Sequence, residues 1–332
     1  MKNGLARFDF YLIKLEGLLL QASTEKNAAL WLYSNNARTP IFMLEGLAKL
    51  YAGIHNKKRF EKIKAHLKLL EDTLGAIDYY DCFAKEFVQN SSIPAYITEY
   101  LQAQAREKIQ RLNDILIEEK WMGDDAMRIK KIRKKLQAAD WLQPKDEVKG
   151  IMNFYLDSIE EIKVLGLTAA KGFTEIESEV HAFRRKLRWL SIYPQALQGV
   201  IQLTDSGNAD EYINSYLAPE IVNSSFNKMP DAGINSCFLL LEKNYFFALS
   251  WMIAELGKLK DSGLKIIAVA EALQQTQAQD HESSLHNACS ILGKDADALQ
   301  KILSDATAIS QKYFREHDLD KLIHGIAKQV ER

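Results

Sequence analysis

The stretch Glu179-Val180-His181-Ala182-Phe183-Arg184-Arg185-Lys186-Leu187-Arg188-Trp189 sets cations at +3, +4 and +7 after a histidine. An earlier stretch, Ile54-His55-Asn56-Lys57-Lys58-Arg59-Phe60-Glu61-Lys62-Ile63-Lys64, repeats that order 126 residues upstream, with His55, Lys58, Arg59 and Lys62 in the matching places. Guanidinium forks and ammonium groups recognise oxyanions, and a histidine adds a donor whose charge rises near neutral pH. Spacings of three, four and seven put all of them on one face of an α-helix.

The helices that must position these groups are legible from their opposite faces. Phe60, Ile63, Leu67, Leu70 and Leu74 form one apolar stripe, and Phe183, Leu187 and Leu190 form the other, each turned away from its cations. A solvated amphipathic face accounts for one such stripe. Two copies in the same order favour a multidentate anion site. The densest cationic run, Arg128-Ile129-Lys130-Lys131-Ile132-Arg133-Lys134-Lys135, keeps Ile129, Ile132 and Leu136 for a buried side. It reads either as a solvated helix flank or, through Lys131 and Lys135, as part of the site for the same anionic ligand.

Two helices reading His-x-x-(Lys/Arg)-Arg-x-x-(Lys/Arg), after allowance for lysine at either end, resemble the signature of the CHAD family. These are helical, histidine-bearing proteins associated with inorganic polyphosphate. Leu74-Gly75-Ala76-Ile77-Asp78-Tyr79-Tyr80-Asp81 resembles a second family pattern, Leu-Gly-x-x-Arg-Asp-x-Asp, without its arginine, and Leu292-Gly293-Lys294-Asp295-Ala296-Asp297 echoes it. The resemblance implies two repeats with approximate two-fold symmetry, their basic helices lining a groove. His55, Lys58, Arg59 and Lys62 would then face His181, Arg184, Arg185 and Arg188, and superposing one copy on the other should bring neighbouring helices along.

Composition bounds the rest. A chain of 332 residues, 47% hydrophobic with only 6 Pro and 16 Gly, can bury a large core and favours long helices. A net charge of -1 argues against a general nucleic-acid coat. Charge is uneven, however: residues 1–150 hold 25 Lys/Arg against 20 Asp/Glu. Cys82, Cys237 and Cys289 suggest neither a disulfide framework nor a zinc cluster. Asp9, Lys14 and Glu16 interrupt the N-terminal apolar run, and no stretch has the length of a membrane span, so a cytoplasmic protein is expected. His281 and His286, and His317 and His324, miss the i, i+4 spacing of a helical zinc pair, so no metal is expected. Asp78 and Asp81 share a helix face but read as helix N-terminal charge and partners of the basic helices rather than as catalytic acids.

Along the chain, helices are expected over Leu5–Leu20, from a cap at Ser23 or Thr24 to Tyr33, and from Pro40 behind a Thr39 cap. One helix or two carry the region around Gly53, another follows Gly75 to Val88, and a long one spans Ala95–Lys120 before a turn at 121–125. Gln143-Pro144 marks the boundary, with a helix from Val148 to Leu165. Thr174-Glu175-Ile176-Glu177 reads as a capping box opening the second basic helix, which Pro194 ends or restarts. Loops are read at 204–208 and 219–233. Helices are expected over Cys237–Leu256, Leu264–Gln275, His281–Leu292 and from Ala296 to the end. The expectation is therefore an all-α protein of two helical bundles related by internal duplication, residues 1–145 and 146–332, the second with extra C-terminal helices. It would bind inorganic polyphosphate or a similar linear polyanion without catalysis or cofactor. The alternative is a helical scaffold or adaptor for an acidic protein or, less favoured, a nucleic acid. Repulsion between gathered cations predicts that Arg184→Ala with Arg188→Ala leaves stability unchanged or raised.

Overall fold

The computed structural model describes residues 3–123, 127–169, 171–207, 210–233, 235–316 and 319–328. Asp124 and Asp125 of the expected turn, Asn208 of the next loop, and His317 lie outside them. The chain is mostly helical and divides into two compact units. Unit 1 comprises residues 1–52, 56–141 and 264–298, and unit 2 comprises 53–55, 142–263 and 299–332, so the chain returns to each unit late in the sequence.

Unit 1 is a helical bundle built from α1 (Asn3–Ala22), α2 (Ala28–Ser34), α3 (Arg38–Ile54, to Ala52), α4 (Lys57–Val88), α5 (Ala95–Glu118) and α6 (Arg128–Gln137). Its apolar periodicities are satisfied as read: Phe60, Ile63, Leu67, Leu70 and Leu74 are all at most 1% exposed. Phe8, Tyr51, Phe60 and Trp141 pack ring to ring with centroids 5.2 to 6.0 Å apart. That cluster anchors the start of α4 in the core.

Several local expectations change. The α2 cap is Asn27, whose side chain accepts from the Leu30 N–H at 3.0 Å, while Ser23 and Thr24 donate to carbonyls of Leu20 and Gln21 and so close α1 instead. Thr39 does not cap α3, which already starts at Arg38; its hydroxyl donates to the Asn36 side chain. α3 and α4 are separate helices, because Asn56 caps α4 by accepting from the Arg59 N–H at 2.9 Å. No break follows Gly75: α4 is one helix of 32 residues.

Unit 2 opens with α7 (Pro144–Ala169) and continues through a π-helical turn (Ile176–His181) directly into α8 (Ala182–Ala196), with Pro194 inside its last turn. The capping box is replaced by a reach from further along. The Glu179 carboxylate accepts from the Thr174 N–H at 2.5 Å, the Thr174 hydroxyl at 3.1 Å and the Glu175 N–H at 3.0 Å. Those bonds hold Glu179 below the usual carboxylate range.

A small sheet departs from a purely helical reading. β1 (Ile201–Thr204) pairs in parallel with β2 (Cys237–Glu242), and β2 pairs antiparallel with β3 (Ile323–Lys328). Cys237–Glu242 is thus a buried strand rather than the start of a helix, and the C-terminal stretch ends in a strand after α12 (Ala298–Arg315). Between β1 and β2 lies the short α9 (Pro219–Val222). From Lys243 to Gln277 a single helix, α10, replaces the two expected; its first part belongs to unit 2, and residues 264–277 with α11 (His281–Ile291) belong to unit 1. No helix among the described residues is long and apolar enough to cross a membrane.

Candidate functional site

The two basic stretches meet different surroundings. In the first, His55 stands one residue before the Asn56 cap and lies outside α4. Lys58 and Lys62 are exposed and Arg59 is half-buried. Among the described residues none of these three cations has an ion-pair partner.

α6 adds to the Lys62 end of that stripe. Ile129, Ile132 and Leu136 are buried, as the spacing requires, and two arginines fasten the helix. Arg133 pairs with Glu16 of α1 at 2.7 Å and approaches Asp9, which raises its pKa further. Arg128 donates through Nε to the Glu119 carbonyl at 2.8 Å, through Nη2 to the Glu119 carboxylate at 2.6 Å, and through Nη1 to His66 Nε2 at 2.9 Å. Among the described residues the lysines of α6 have no such partners. Lys135 is half-buried, and burial lowers its pKa, followed by repulsion from Lys62, Arg128 and Lys131. Lys62, Lys131 and Lys135 thus come together on unit 1, although they lie far apart in sequence.

The second stretch is largely engaged within unit 2. His181 ends the π-helical turn, and its Nδ1 lies 2.9 and 3.0 Å from the two Glu177 carboxylate oxygens. That contact lowers the Glu177 pKa, with help from Lys260 and Arg185. Arg184 turns inward, donating from Nε to the Ile253 carbonyl of α10 at 2.9 Å. Its guanidinium lies on Gly257, where a Cβ would come within 3.0 Å of Nε. Burial lowers the Arg184 pKa, partly offset by Asp261. Lys186 pairs with Glu161 of α7, Arg188 is half-buried, and Arg185 is exposed.

Arg38 uses the same kind of seat in unit 1. Its guanidinium lies on Gly75, but it meets two carboxylates, Glu71 at 2.8 Å and Asp78 at 3.1 Å. The Tyr33 hydroxyl donates to Asp81 at 2.7 Å, which with burial raises the phenol pKa, and Lys85 pairs with Asp81 at 2.6 Å. Asp78 and Asp81 therefore sit mid-helix rather than at a helix N-terminus; Asp78 pairs with Arg38 of α3, and Asp81 with Tyr33 of α2 and with Lys85 of the basic helix α4 itself. Glu45 is 5% exposed, its Oε2 has no hydrogen-bond partner among the described residues, and burial with Glu71 beside it raises its pKa to about 7.

Among the described residues no group of three or more His, Cys, Asp or Glu side chains is placed to hold a metal ion. His66 and Glu119 are the functional candidates that sequence reasoning missed. An isolated histidine carries no spacing signal, and both depend on Arg128 from elsewhere in the chain. Against known proteins, the chain matches no family model, no curated protein and no solved structure.

Proposed function

We propose that unit 1 binds inorganic polyphosphate or another linear polyanion, noncatalytically, along the N-terminal half of α4 and the exposed side of α6. Lys62, Lys131 and Lys135 are the central cations, and Lys58 and Arg59 extend the stripe. One observation carries the reading: Lys135 is half-buried beside three other cations, while the lysines of that group have no carboxylate partners among the described residues. Like charges gathered and partly desolvated raise the free energy of the folded chain, and a multivalent anion relieves that repulsion. Charge-assisted bonds to successive phosphates then need no base recognition.

The resemblance to CHAD proteins supplies polyphosphate as the ligand class. An internal duplication of that type belongs to the same proposal, supported by the 126-residue offset in sequence. The flanking elements add nothing to it, since α3 and α5 border one copy and α7 and β1 the other. His181, Arg184, Arg185 and Arg188 have a smaller part, with Arg185 the most accessible of them.

Titration of the protein with long-chain polyphosphate and with RNA of equal charge, each at two salt concentrations, tests the reading. A preference for polyphosphate that survives moderate salt supports it. Equal, steeply salt-dependent binding of both favours the scaffold or nucleic-acid alternative.

A further inference from the structure

The anion face of unit 1 includes one cation held in reserve. Arg128 spends Nε and Nη2 on Glu119 and only Nη1 on His66. Because a guanidinium can only donate, His66 Nε2 must accept, so the imidazole is neutral with its proton on Nδ1. That proton lies toward Glu119 Oε2, 3.4 Å away. His66 thus sits between an arginine that requires it uncharged and a glutamate already claimed by that arginine.

Charged groups from α4, α5 and α6 surround the ring. Arg128 and Lys135 from α6 disfavour its protonation, as does burial, which has the largest effect; Glu119 at the end of α5 favours it. On its own helix Lys62 stands one turn earlier. The net result is a histidine pKa below the ordinary value.

We infer that His66 is a proton-controlled latch on Arg128, so that the α4 and α6 face takes up a proton when it binds a phosphate-type polyanion. Protonation fills the Nε2 lone pair, which breaks the bond from Arg128 Nη1 and leaves both groups donating. The face then offers His66 and the freed Nη1 beside Lys62, Lys131 and Lys135. A bound row of phosphates screens the neighbouring cations that held the pKa down, so uptake and binding reinforce each other. The consequence is tighter binding as pH falls below the usual histidine range. This inference rests on the polyanion reading for its ligand, but the latch itself has a ligand-free signature.

The test has two arms. Without ligand, NMR of the ring nitrogens should find His66 neutral at pH 7, with Nε2 as the acceptor and a pKa below the ordinary value, and Arg128→Met should raise that pKa. A charged His66 at pH 7, or one with its proton on Nε2, overturns the latch. With long-chain polyphosphate, whose internal phosphates stay ionised throughout, affinity should rise about threefold to tenfold from pH 7.5 to pH 5.5. His66→Gln keeps an acceptor for Arg128 but cannot charge, and should lose that rise. His66→Lys should bind at pH 7.5 as wild type does at pH 5.5. An equal rise in wild type and His66→Gln overturns the inference. Absence of binding in all proteins at both pH values overturns the proposed function instead, and the ligand-free arm then judges the latch alone.

Discussion

Arg38 and Arg184 each rest against a glycine of a long helix, yet their surroundings give them opposite charge balances. Arg38 on Gly75 meets Glu71 and Asp78, whereas Arg184 on Gly257 meets a backbone carbonyl and a more remote Asp261 already paired with Lys260 at 2.5 Å. The same contrast runs through the basic stretches. Arg184 and His181 in the second copy are turned to internal partners, whereas Lys58 and Lys62 of the first copy and Lys131 of α6 are exposed. Arginine's fork suits fixed, partly buried bonds, while a lysine on a flexible stem keeps its charge available. Similar spacing of cations therefore yields a fastening in one place and a binding face in another.

Removing Arg38 should break this comparison most severely. Arg38→Ala leaves Glu71, 7% exposed, uncompensated next to buried Glu45, and should cost about 3 to 5 kcal/mol in denaturant unfolding. A loss no larger than that of an exposed ion pair would show that solvent reaches Glu71 freely.

Glu45 gives the next effect. Its folded pKa of about 7 lies above the unfolded value of 4.5, so stability from the protonated acid is complete below pH 4.5 and disappears as pH rises through 7. Glu45→Gln should therefore gain roughly 2 to 3 kcal/mol over wild type at pH 8 and almost nothing at pH 4. Parallel pH profiles for the two proteins would contradict the assignment.

Arg184→Ala removes one bond to Ile253 and the packing over Gly257 without stranding a carboxylate. A cost of about 1 to 2 kcal/mol is expected, which replaces the expectation from sequence that Arg184→Ala with Arg188→Ala leaves stability unchanged or raised. The smallest effect belongs to Lys131→Ala with Lys135→Ala. Relief of repulsion should leave unfolding within about 0.5 kcal/mol of wild type, shifted upward if at all. A marked loss of stability there would mean that the lysine stems support the core.

How far these arrangements could be read in advance depended on the range of the interactions. α6 was legible because Ile129, Ile132 and Leu136 repeat at helical spacing and the cations occupy the rest. β2 was not, since the run Cys237-Phe238-Leu239-Leu240-Leu241 is apolar on both faces and leads straight into the aromatic start of α10. Periodicity cannot separate a doubly buried strand from a buried helix, and its pairing partners lie in β1 and β3. Within the candidate site, the cations of α4 were legible, but their union with Lys131 and Lys135 is tertiary. His66 reaches Arg128 across 62 residues, and Arg184 reaches Ile253 across 69. Helical spacing says which face a side chain occupies, not whether that face meets a carbonyl, a carboxylate or water.

The most direct measurement compares polyphosphate affinity of Lys131→Ala/Lys135→Ala with that of Arg184→Ala/Arg188→Ala, both checked for folding, at moderate salt. Loss of two charge-assisted contacts, worth about 1.5 to 3 kcal/mol at half-buried Lys135 and less at exposed Lys131, should weaken binding by well over tenfold in the lysine variant. The arginine variant should lose no more than a few-fold. The opposite order, or equal affinity in wild type and both variants, would contradict the assignment of polyanion binding to the α4 and α6 face.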